Sequence, residues 1–306
     1  MLDIRRLRLL RELALRGTIA AVAEALAFSP SAVSQQLAVL EREAGVPLLE
    51  RTGRRVTLTP AGQGLARHAE ALLERLERAS AELAATREGL AGPLLIGAFP
   101  TAARALLPAA LTTLARVWPD LEPTVEEIDA ADVPEALRAG DLDVVLVHEY
   151  DLVPGDPLPG LETEAVMEEQ VYLAELDRKP APPGRDPLLA RRDAPWIMGK
   201  RGTLCHSMAV RACEAAGFRP RVRHLVDEYP TVLALVAAGQ GVALVPRLGV
   251  IDLPEEVRLT PVRLRRRISV AYRSGGGRHP AVAAFTTALK RAARPQPPER
   301  PGPARP

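Results

Sequence analysis

The stretch FSPSAVSQQLAVLEREAGVPLLERTGRRVTLTP, residues 28–60, decides how the N-terminal part of this chain folds. Ser29 and Pro30 predict a helix start, because a serine oxygen caps free amides of the first turn and proline suits the first helical position. Gly45 predicts the end of that helix. The apolar residues that recur at helical spacing between these signals, and that should face a small core, are Val33, Leu37 and Leu40.

The opposite face of this helix is short, uncharged and rich in hydrogen-bonding groups. It carries Ser31, Ser34 and Gln35. Serine and glutamine side chains can pair with base edges, and the small Ser31 permits close approach. The sequence therefore predicts a recognition helix that lies in the major groove of DNA.

A two-stranded wing is predicted directly after this helix. Residues 48–51 and 56–58 have the pattern of short strands, and residues 52–54 have that of a tight turn. Arginines on such a wing should meet DNA phosphates. The arginines concerned are Arg51, Arg54 and Arg55.

Two helices are predicted before the recognition helix, over residues 3–16 and 18–26. Gly17 stops the first and Thr18 caps the second. Together with the wing they make a winged helix-turn-helix over residues 1–60. The alternative interpretation is a small helical bundle without DNA-binding function, but the caps, turn, uncharged face and arginine wing occur in the order that DNA binding requires.

Composition excludes several other classes of protein. With 306 residues, 47% hydrophobic and 25% charged, the chain has room for two or more packed domains, and its net charge of +2 excludes a polycation. No apolar run approaches the roughly 20 residues that span a bilayer, and no signal-peptide pattern is present, so we expect a cytoplasmic protein without a membrane partner.

A long helix over residues 61–90 is predicted to dimerise the chain. Its apolar residues alternate spacings of four and three, which is the seam of a coiled coil. These residues are Leu65, Ala69, Leu72, Leu76, Ala79 and Leu83. The alternative is a surface helix packed on its own domain. A dimer would pair two reading heads, so the expected partner is an inverted repeat in double-stranded DNA.

Beyond residue 90 the pattern changes to short apolar strands that alternate with helices, which predicts an α/β fold. Strands are expected at residues 94–97, 124–128, 142–148, 171–174, 196–198, 222–225, 242–245 and 268–272. Helices are expected at residues 102–117, 133–139, 204–216, 230–238 and 280–292. The proline-rich tail, residues 295–306, is expected to be disordered.

The N-terminal 60 residues, the long helix and the segments GPLLIGAFPTAARALLPAAL, ALRAGDLDVVLV, EAAGFRPRV and ALVAAGQGVALVP resemble the LysR-type transcriptional regulators. The resemblance implies an effector-binding domain at residues 91–294, similar to type II periplasmic solute-binding proteins. Its lobe I would cover about 91–161 plus 266–294, and its lobe II about 162–265. The resemblance further implies a dimer or tetramer whose DNA contacts respond to a small molecule, with RNA polymerase as a candidate partner.

The resemblance also places Pro30 among the DNA-contacting residues, at a position where many relatives have glutamine. It places Thr101, Thr203, Val147 and His148 at the effector cleft.

A physical argument also points to this cleft. Pro100-Thr101 and Gly202-Thr203 each lie between a strand end and a helix start, where free helix amides attract anions. We therefore expect a small anionic effector. Each threonine has the alternative role of a plain helix cap, and Asp227-Glu228 is interpreted as a capping pair rather than as a ligand contact.

No catalytic, cofactor or metal motif is recognisable, so neither an enzyme nor a cofactor is expected. Cys205 and Cys213 fall in one predicted helix, about two turns apart, which favours packing over a disulfide-based redox role. A transport solute-binding protein is the alternative function, because the C-terminal part resembles that fold. It would require export, and the chain has a reading head but no export signal.

Overall fold

The computed structural model describes residues 1–52, 55–87, 89–155, 158–177 and 186–294. Three helices and a two-stranded wing form the N-terminal unit, which we call the reading head. Its elements are α1 (Ile4–Arg16), α2 (Ile19–Ala25), α3 (Pro30–Ala44), β1 (Leu49–Thr52) and β2 (Arg55–Leu58). The predicted winged helix-turn-helix is confirmed, while the turn residues Gly53 and Arg54 lie outside the described residues.

The ends of α3 follow from local chemistry. The Ser29 hydroxyl accepts a hydrogen bond from the Ala32 amide at 3.2 Å, and Pro30 starts the helix. Gly45 ends it in the left-handed region, at φ of 69°, and its amide donates to the Glu41 carbonyl at 2.9 Å. Such a conformation favours glycine, which has no Cβ to clash.

Glu41 joins this helix to the wing. Its carboxylate accepts hydrogen bonds from the amides of Leu48 and Leu49, at 2.9 and 3.0 Å. These amides open the first wing strand. Since a charged acceptor strengthens both bonds, the position of the wing is set by the recognition helix itself.

The helix α4 (Pro60–Ala85) has 26 residues and is about 39 Å long. Its beginning belongs to the reading head, since Ala69 is fully buried there and Leu65 packs against the same core. Farther along, Leu72, Leu76 and Leu83 are exposed, with Leu76 at 53%. The predicted seam is thus partly used inside the head and otherwise open.

The rest of the chain is a two-lobed α/β structure, as predicted. Its elements are β3 (Gly92–Ala98), α5 (Pro100–Ala105), α6 (Leu107–Val117), β4 (Leu121–Glu127), α7 (Val133–Ala139), β5 (Val144–Tyr150), β6 (Leu161–Leu176), β7 (Pro195–Met198), α8 (Leu204–Ala215), β8 (Arg221–Leu225), α9 (Tyr229–Ala237), β9 (Ala243–Pro246), β10 (Val257–Arg273) and α10 (Pro280–Ala292).

One sheet runs through both lobes in the order β4-β3-β5-β10-β6-β9. The strands β3, β4 and β5 are parallel, whereas β10 is antiparallel to β5 and β6. A smaller parallel pair, β7 and β8, adjoins β9 through a bridge between Trp196 and Val242. The carboxyl ends of β3 and β5 therefore open toward the crossing between the lobes.

Two long strands connect the lobes, and they are longer than the sequence indicates. β6 has 16 residues and β10 has 17, whereas only residues 171–174 and 268–272 are predicted. Charged side chains interrupt the apolar pattern in the remaining parts, so those parts resemble loops in sequence.

The helix predicted over residues 102–117 is in fact two helices that break at Leu106. Pro108 explains the break, because proline lacks the amide hydrogen that would continue the helical ladder.

Within the described ranges, no helix is both long and apolar enough to cross a membrane. The predicted disordered tail, residues 295–306, lies outside them.

Gly62 and Gly64, near the start of α4 beside the wing, provide a matched pair of substitutions. A Cβ at Gly62 would overlap the Leu48 carbonyl oxygen, whereas a Cβ at Gly64 would meet only the tip of Arg67, at 3.9 Å. We expect Gly62→Ala to destabilise the protein by about 2 kcal/mol through overpacking. Gly64→Ala should stabilise it by about 0.5–1 kcal/mol through helix propensity. Urea unfolding of both variants checks this, and equal effects would contradict the close approach.

Candidate DNA interface and effector cleft

The predicted DNA-binding face of α3 is exposed, and α1 contacts the helix at other positions. Pro30, Ser31 and Gln35 are exposed, and Ser34 is half-buried. Arg6 of α1 donates to the Gln36 side chain at 2.9 Å and pairs with Glu43 at 2.6 Å. Gln36 is thereby turned to the protein while its neighbour Gln35 is left for an outside partner.

The wing arginines are located only in part. Arg51 lies on β1, opposite Val56 of β2, and Arg55 lies on β2, opposite Thr52. Arg54 lies outside the described residues. Their role as phosphate contacts stays a prediction.

A buried ion pair lies where the two long strands cross between the lobes. Arg266 of β10 is 1% exposed and Glu169 of β6 is 2% exposed. The Arg266 Nε donates to a Glu169 carboxylate oxygen at 2.5 Å, and the other oxygen accepts from the Leu248 amide at 2.7 Å. Both carboxylate oxygens are therefore satisfied, as a buried charge requires.

Thr101 is the second partner of this arginine. Its hydroxyl accepts a hydrogen bond from the Arg266 Nη2 at 3.1 Å, and its side chain does not cap α5. Arg266 Nη1 has no hydrogen-bond partner among the described residues. One edge of the guanidinium is thus fixed and another is free to bind an acceptor.

One aromatic ring lies against the guanidinium, and two further rings adjoin it in series. Its central carbon lies 5.2 Å from the centroid of the Phe99 ring, which is a cation–π contact. The Phe99 and His148 rings are 4.4 Å apart, and His148 meets Tyr150 edge-on at 5.5 Å. The cluster is therefore largely aromatic around one charged edge, and apolar surroundings with few polar groups are typical of small-molecule sites.

Lobe II reaches the same cluster through Cys205. The Tyr150 hydroxyl lies 3.5 Å from the Cys205 sulfur, and the Tyr229 hydroxyl donates to that sulfur at the same distance. Burial, followed by the neighbouring Cys205, raises the pKa of both tyrosines. Both hydroxyls therefore stay protonated at neutral pH.

His148 carries no charge in the folded protein. Burial, followed by the nearby Arg266, lowers its pKa to about 3. Its ring keeps partial exposure, but the Nε2 atom is sealed and has no hydrogen-bond partner in the described part of the chain. The cleft thus combines one ion pair with neutral groups.

The other sequence-predicted effector residues lie in different surroundings. Thr203 caps α8, since its hydroxyl accepts from the His206 amide at 3.2 Å and donates to the Lys200 carbonyl at 2.8 Å. Gly202 precedes it with φ of 90°, and Pro100 is exposed at the start of α5.

Val147 packs on the side of the sheet opposite His148, against the cluster that contains Leu137 of α7. The structure thus brings Thr101 and His148 together, and Val147 apart from them. The assignment of these residues to an effector stays a prediction.

The interpretation of Asp227-Glu228 as a capping pair is wrong. Glu228 makes no side-chain cap on α9. Asp227 instead accepts from the Lys200 amide at 2.7 Å and pairs with the Lys200 ammonium at 3.1 Å. The carboxylate therefore holds the loop before α8.

Several cleft residues escaped sequence reasoning: Phe99, Tyr150, Glu169, Tyr229 and Arg266. A signal existed for Arg266. Along β10 the buried positions alternate as Val262, Leu264, Arg266 and Ile268, so the arginine occupies an apolar phase. A charged residue in such a phase predicts a buried partner.

The two cysteines are both on α8, eight positions apart, which corresponds to about 12 Å along the helix. A disulfide needs Cα atoms within about 7 Å, so these two cannot pair while α8 is intact. Burial, followed by Glu214, raises the pKa of Cys213 to about 12. Across the described ranges, no His, Cys, Asp and Glu cluster could hold a metal ion.

A winged DNA-reading head joined to a two-lobed sensory domain defines the class of effector-responsive transcription regulators. Residues 4–63 match the family model described as bacterial regulatory helix-turn-helix protein, lysR family, and residues 87–294 match the LysR substrate binding domain. The chain belongs to the LysR family of transcriptional regulators.

Known relatives agree with this assignment. The chain is 31% identical to a probable hydrogen peroxide-inducible genes activator of Mycobacterium avium, over 84% of this chain and 83% of that protein. It is 29% identical to the dual regulator GltC of Bacillus subtilis, over 80% and 81%. These proteins are transcriptional regulators rather than enzymes, and the alternative of a transport protein finds no support.

Solved structures of the family are similar as well. A mutant of OxyR from Corynebacterium glutamicum is 28% identical, with a TM-score of 0.58 over 95% of this chain and 92% of that chain. Full-length CbnR in complex with its target DNA is 25% identical, with a TM-score of 0.54 over 95% and 100%.

The lowered pKa of His148 predicts a pH dependence of stability. The folded protein binds this proton only near pH 3, whereas the ordinary value is 6.5, so the contribution is present above 6.5 and is lost as pH falls below it. Between pH 7.0 and 5.5 the wild type should lose about 1 kcal/mol of unfolding free energy that the variant His148→Phe retains. Urea titrations at both values measure the difference, and parallel losses would contradict a neutral His148.

Proposed function

We propose that the chain regulates transcription as a dimer or tetramer that binds an inverted repeat in promoter DNA and responds to a small anionic effector. The observation that carries the effector half is the free edge of the buried Arg266 guanidinium beside Thr101. The Arg266 Nη1 group makes no hydrogen bond in the described part of the chain, so an acceptor placed there gains both a charge interaction and hydrogen bonds.

We further propose a cytoplasmic location, where promoter DNA lies, RNA polymerase as a candidate partner, and no catalytic role. The exposed, uncharged face of α3 supports base readout, with Pro30, Ser31, Ser34 and Gln35 in the groove. The wing supports phosphate contact, by Arg51, Arg54 and Arg55.

Base readout and phosphate contact separate in a gel shift with the DNA upstream of the chain's own gene. Gln35→Ala should reduce the ratio of specific to nonspecific affinity by about tenfold, since one base-edge contact is lost. Arg54→Ala should weaken binding to all DNA alike and lower the salt slope by about 1. If both variants act alike, this division of roles is wrong. If the wild type does not retard the upstream DNA, the proposed binding of promoter DNA is contradicted.

The open part of α4 supports dimerisation. Leu72, Leu76, Ala79 and Leu83 are exposed on one face, while Leu65 and Ala69 anchor the same row in the head. A second copy would cover the exposed leucines and gain about 25 cal/mol for each Å² of apolar area buried.

Charge placed on this seam should separate the copies. We expect Leu76→Glu to raise the dimer dissociation constant at least tenfold in sedimentation equilibrium, because a carboxylate would be buried against apolar neighbours. The matched control is Ala71→Glu, an exposed position about 140° away from Leu76 around the helix. Dissociation by both variants, or by neither, would argue against the seam.

The effector proposal is tested by thermal shift with pairs of small carboxylates and their amides. A carboxylate should raise the melting temperature more than its amide, because only the anion pairs with Arg266. Thr101→Val should weaken that response about tenfold in ligand concentration, while Thr113→Val, at a half-buried position of α6, should not change it. Equal responses to acids and amides would remove the anion from the proposal.

A further inference from the structure

The C-terminal end of α7 is held by arginines from two distant parts of the chain. The last four carbonyls of a helix have no partner within the helix. Here the Ala136 carbonyl accepts from the amides of residues 140, 141 and 142, at 3.0–3.2 Å. The other three carbonyls accept only from arginine side chains among the described residues.

The first arginine comes from the reading head. Arg8 of α1 donates through Nη2 to the carbonyls of Arg138 and Ala139, at 2.5 and 3.1 Å. Arg16, at the C-terminal end of α1, pairs with Glu135 in the first turn of α7 at 3.3 Å. A cation at a helix C-terminus also complements the negative end of the helix dipole. The reading head therefore contacts lobe I at two places on α7, at Glu135 and at the C-terminal end of the helix.

The second arginine comes from the strand that crosses between the lobes. Arg273, the last residue of β10, donates through Nη1 to the carbonyls of Leu137 and Leu142, at 2.8 and 2.9 Å. Its Nε donates to Glu77 of α4 at 2.8 Å. The guanidinium of Arg273 therefore joins three elements: β10, which we call the hinge strand, α7, and α4, which we call the linker helix.

The linker helix lies directly on this corner of lobe I. A Cβ at Gly275 would come 2.7 Å from the Glu74 carbonyl oxygen, and a Cβ at Gly160 would overlap the Glu70 carboxylate. Both glycines have positive φ. At Gly275 the chain comes so close to the backbone of α4 that a side chain would not fit.

The hinge strand also carries the cleft arginine. Arg266 lies seven residues before Arg273 on β10. The strand pairs with β5 from Arg266 to Ala271 and with β6 from Arg265 to Arg273, with one irregularity after Ile268. A strand held on both sides moves as a unit, because local deformation would break its ladder. A shift of Arg266 is then passed to Arg273, in the manner of a small shear between packed elements.

We propose that the C-terminal end of α7 couples the effector cleft to the reading head, with Arg273 reporting the position of β10 and Arg8 holding α1. This inference rests on the proposed function, since it explains how an effector at Arg266 alters DNA binding. A ligand that binds Arg266 shifts β10. This shift changes the hydrogen bonds of Arg273 to α7 and to Glu77, and it thereby changes the orientation of the reading head.

Hydrogen exchange in the full-length protein tests the docking without DNA or ligand. Arg8→Ala should speed exchange of the amides of residues 140–142 about fivefold, since one cap is lost. Arg8→Lys, which keeps the charge and one donor, should restore most of the protection. Arg5→Ala is the control, because Arg5 is exposed on the same helix and its guanidinium has no hydrogen bond among the described residues. Unchanged exchange in a folded Arg8→Ala protein overturns the proposal.

The link to the cleft has its own measurement. Thr101→Val frees one edge of Arg266, so exchange at residues 140–142 should change at least twofold, while Thr113→Val leaves it unchanged. No response to Thr101→Val would overturn the coupling even if the docking is correct.

A gel shift with the chain's own upstream DNA completes the test. Arg8→Ala should change the affinity at least threefold without altering the salt slope. A slope lowered by about 1 would instead mark Arg8 as a phosphate contact and overturn its coupling role. Failure of the wild type to bind would count against the proposed function alone, since the exchange measurements still decide the coupling.

Discussion

The buried pair of Arg266 and Glu169 is the interaction on which the two-lobed domain depends. It lies where β6 and β10 cross between the lobes, and each charge is taken out of water at a cost of several kcal/mol. The pair is tolerable because Glu169 has both oxygens bonded and Arg266 has Thr101 and the Phe99 ring beside it. Either residue alone would be an uncompensated buried charge. Because replacing a buried ion pair by apolar residues of similar volume is often neutral for stability, the pair is weak evidence of a stabilising role, and its free guanidinium edge is where the proposed effector would bind.

The reading head is organised by different physics. Helices α1 and α3 begin at side-chain caps and end at left-handed glycines, and the core is built largely from leucine and valine at helical spacing. The linker helix α4 unites the two halves through separate faces. Glu70, Glu74 and Glu77 lie against lobe I and the head, and the exposed leucines lie on the opposite side. One helix can therefore contact its own sensory domain and a second copy at the same time.

The sequence predicts the reading head more closely than the two-lobed domain, because the head depends on local interactions and the domain on contacts between distant residues. Ser29, Pro30 and Gly45 act within a few residues of themselves, so the recognition helix is predicted closely from local chemistry. The length of β6 and β10 depends on pairing partners that are up to 126 residues away, as for Ala271 and Val145, and their charged outward positions hide the strand pattern. Asp227 shows the same limit: a carboxylate before a helix usually caps it, but here the Lys200 amide lies closer in the fold. Thr101 was placed at the cleft from its position after a strand, whereas its arginine partner is 165 positions away.

The continuity of α4 has a consequence for the DNA that the protein can recognise. Ala69 is part of the core of the reading head, and Leu72 stands on the exposed face less than one turn later. Between the two there is neither a glycine nor a proline at which the helix could bend. Each residue along a helix advances it by about 1.5 Å and turns it by about 100°. The helix therefore acts as a ruler: the distance and the rotation between two paired heads are fixed by the number of residues between core and seam. An insertion of a single residue there would leave both parts folded and yet set the two recognition helices out of phase with the turns of the double helix.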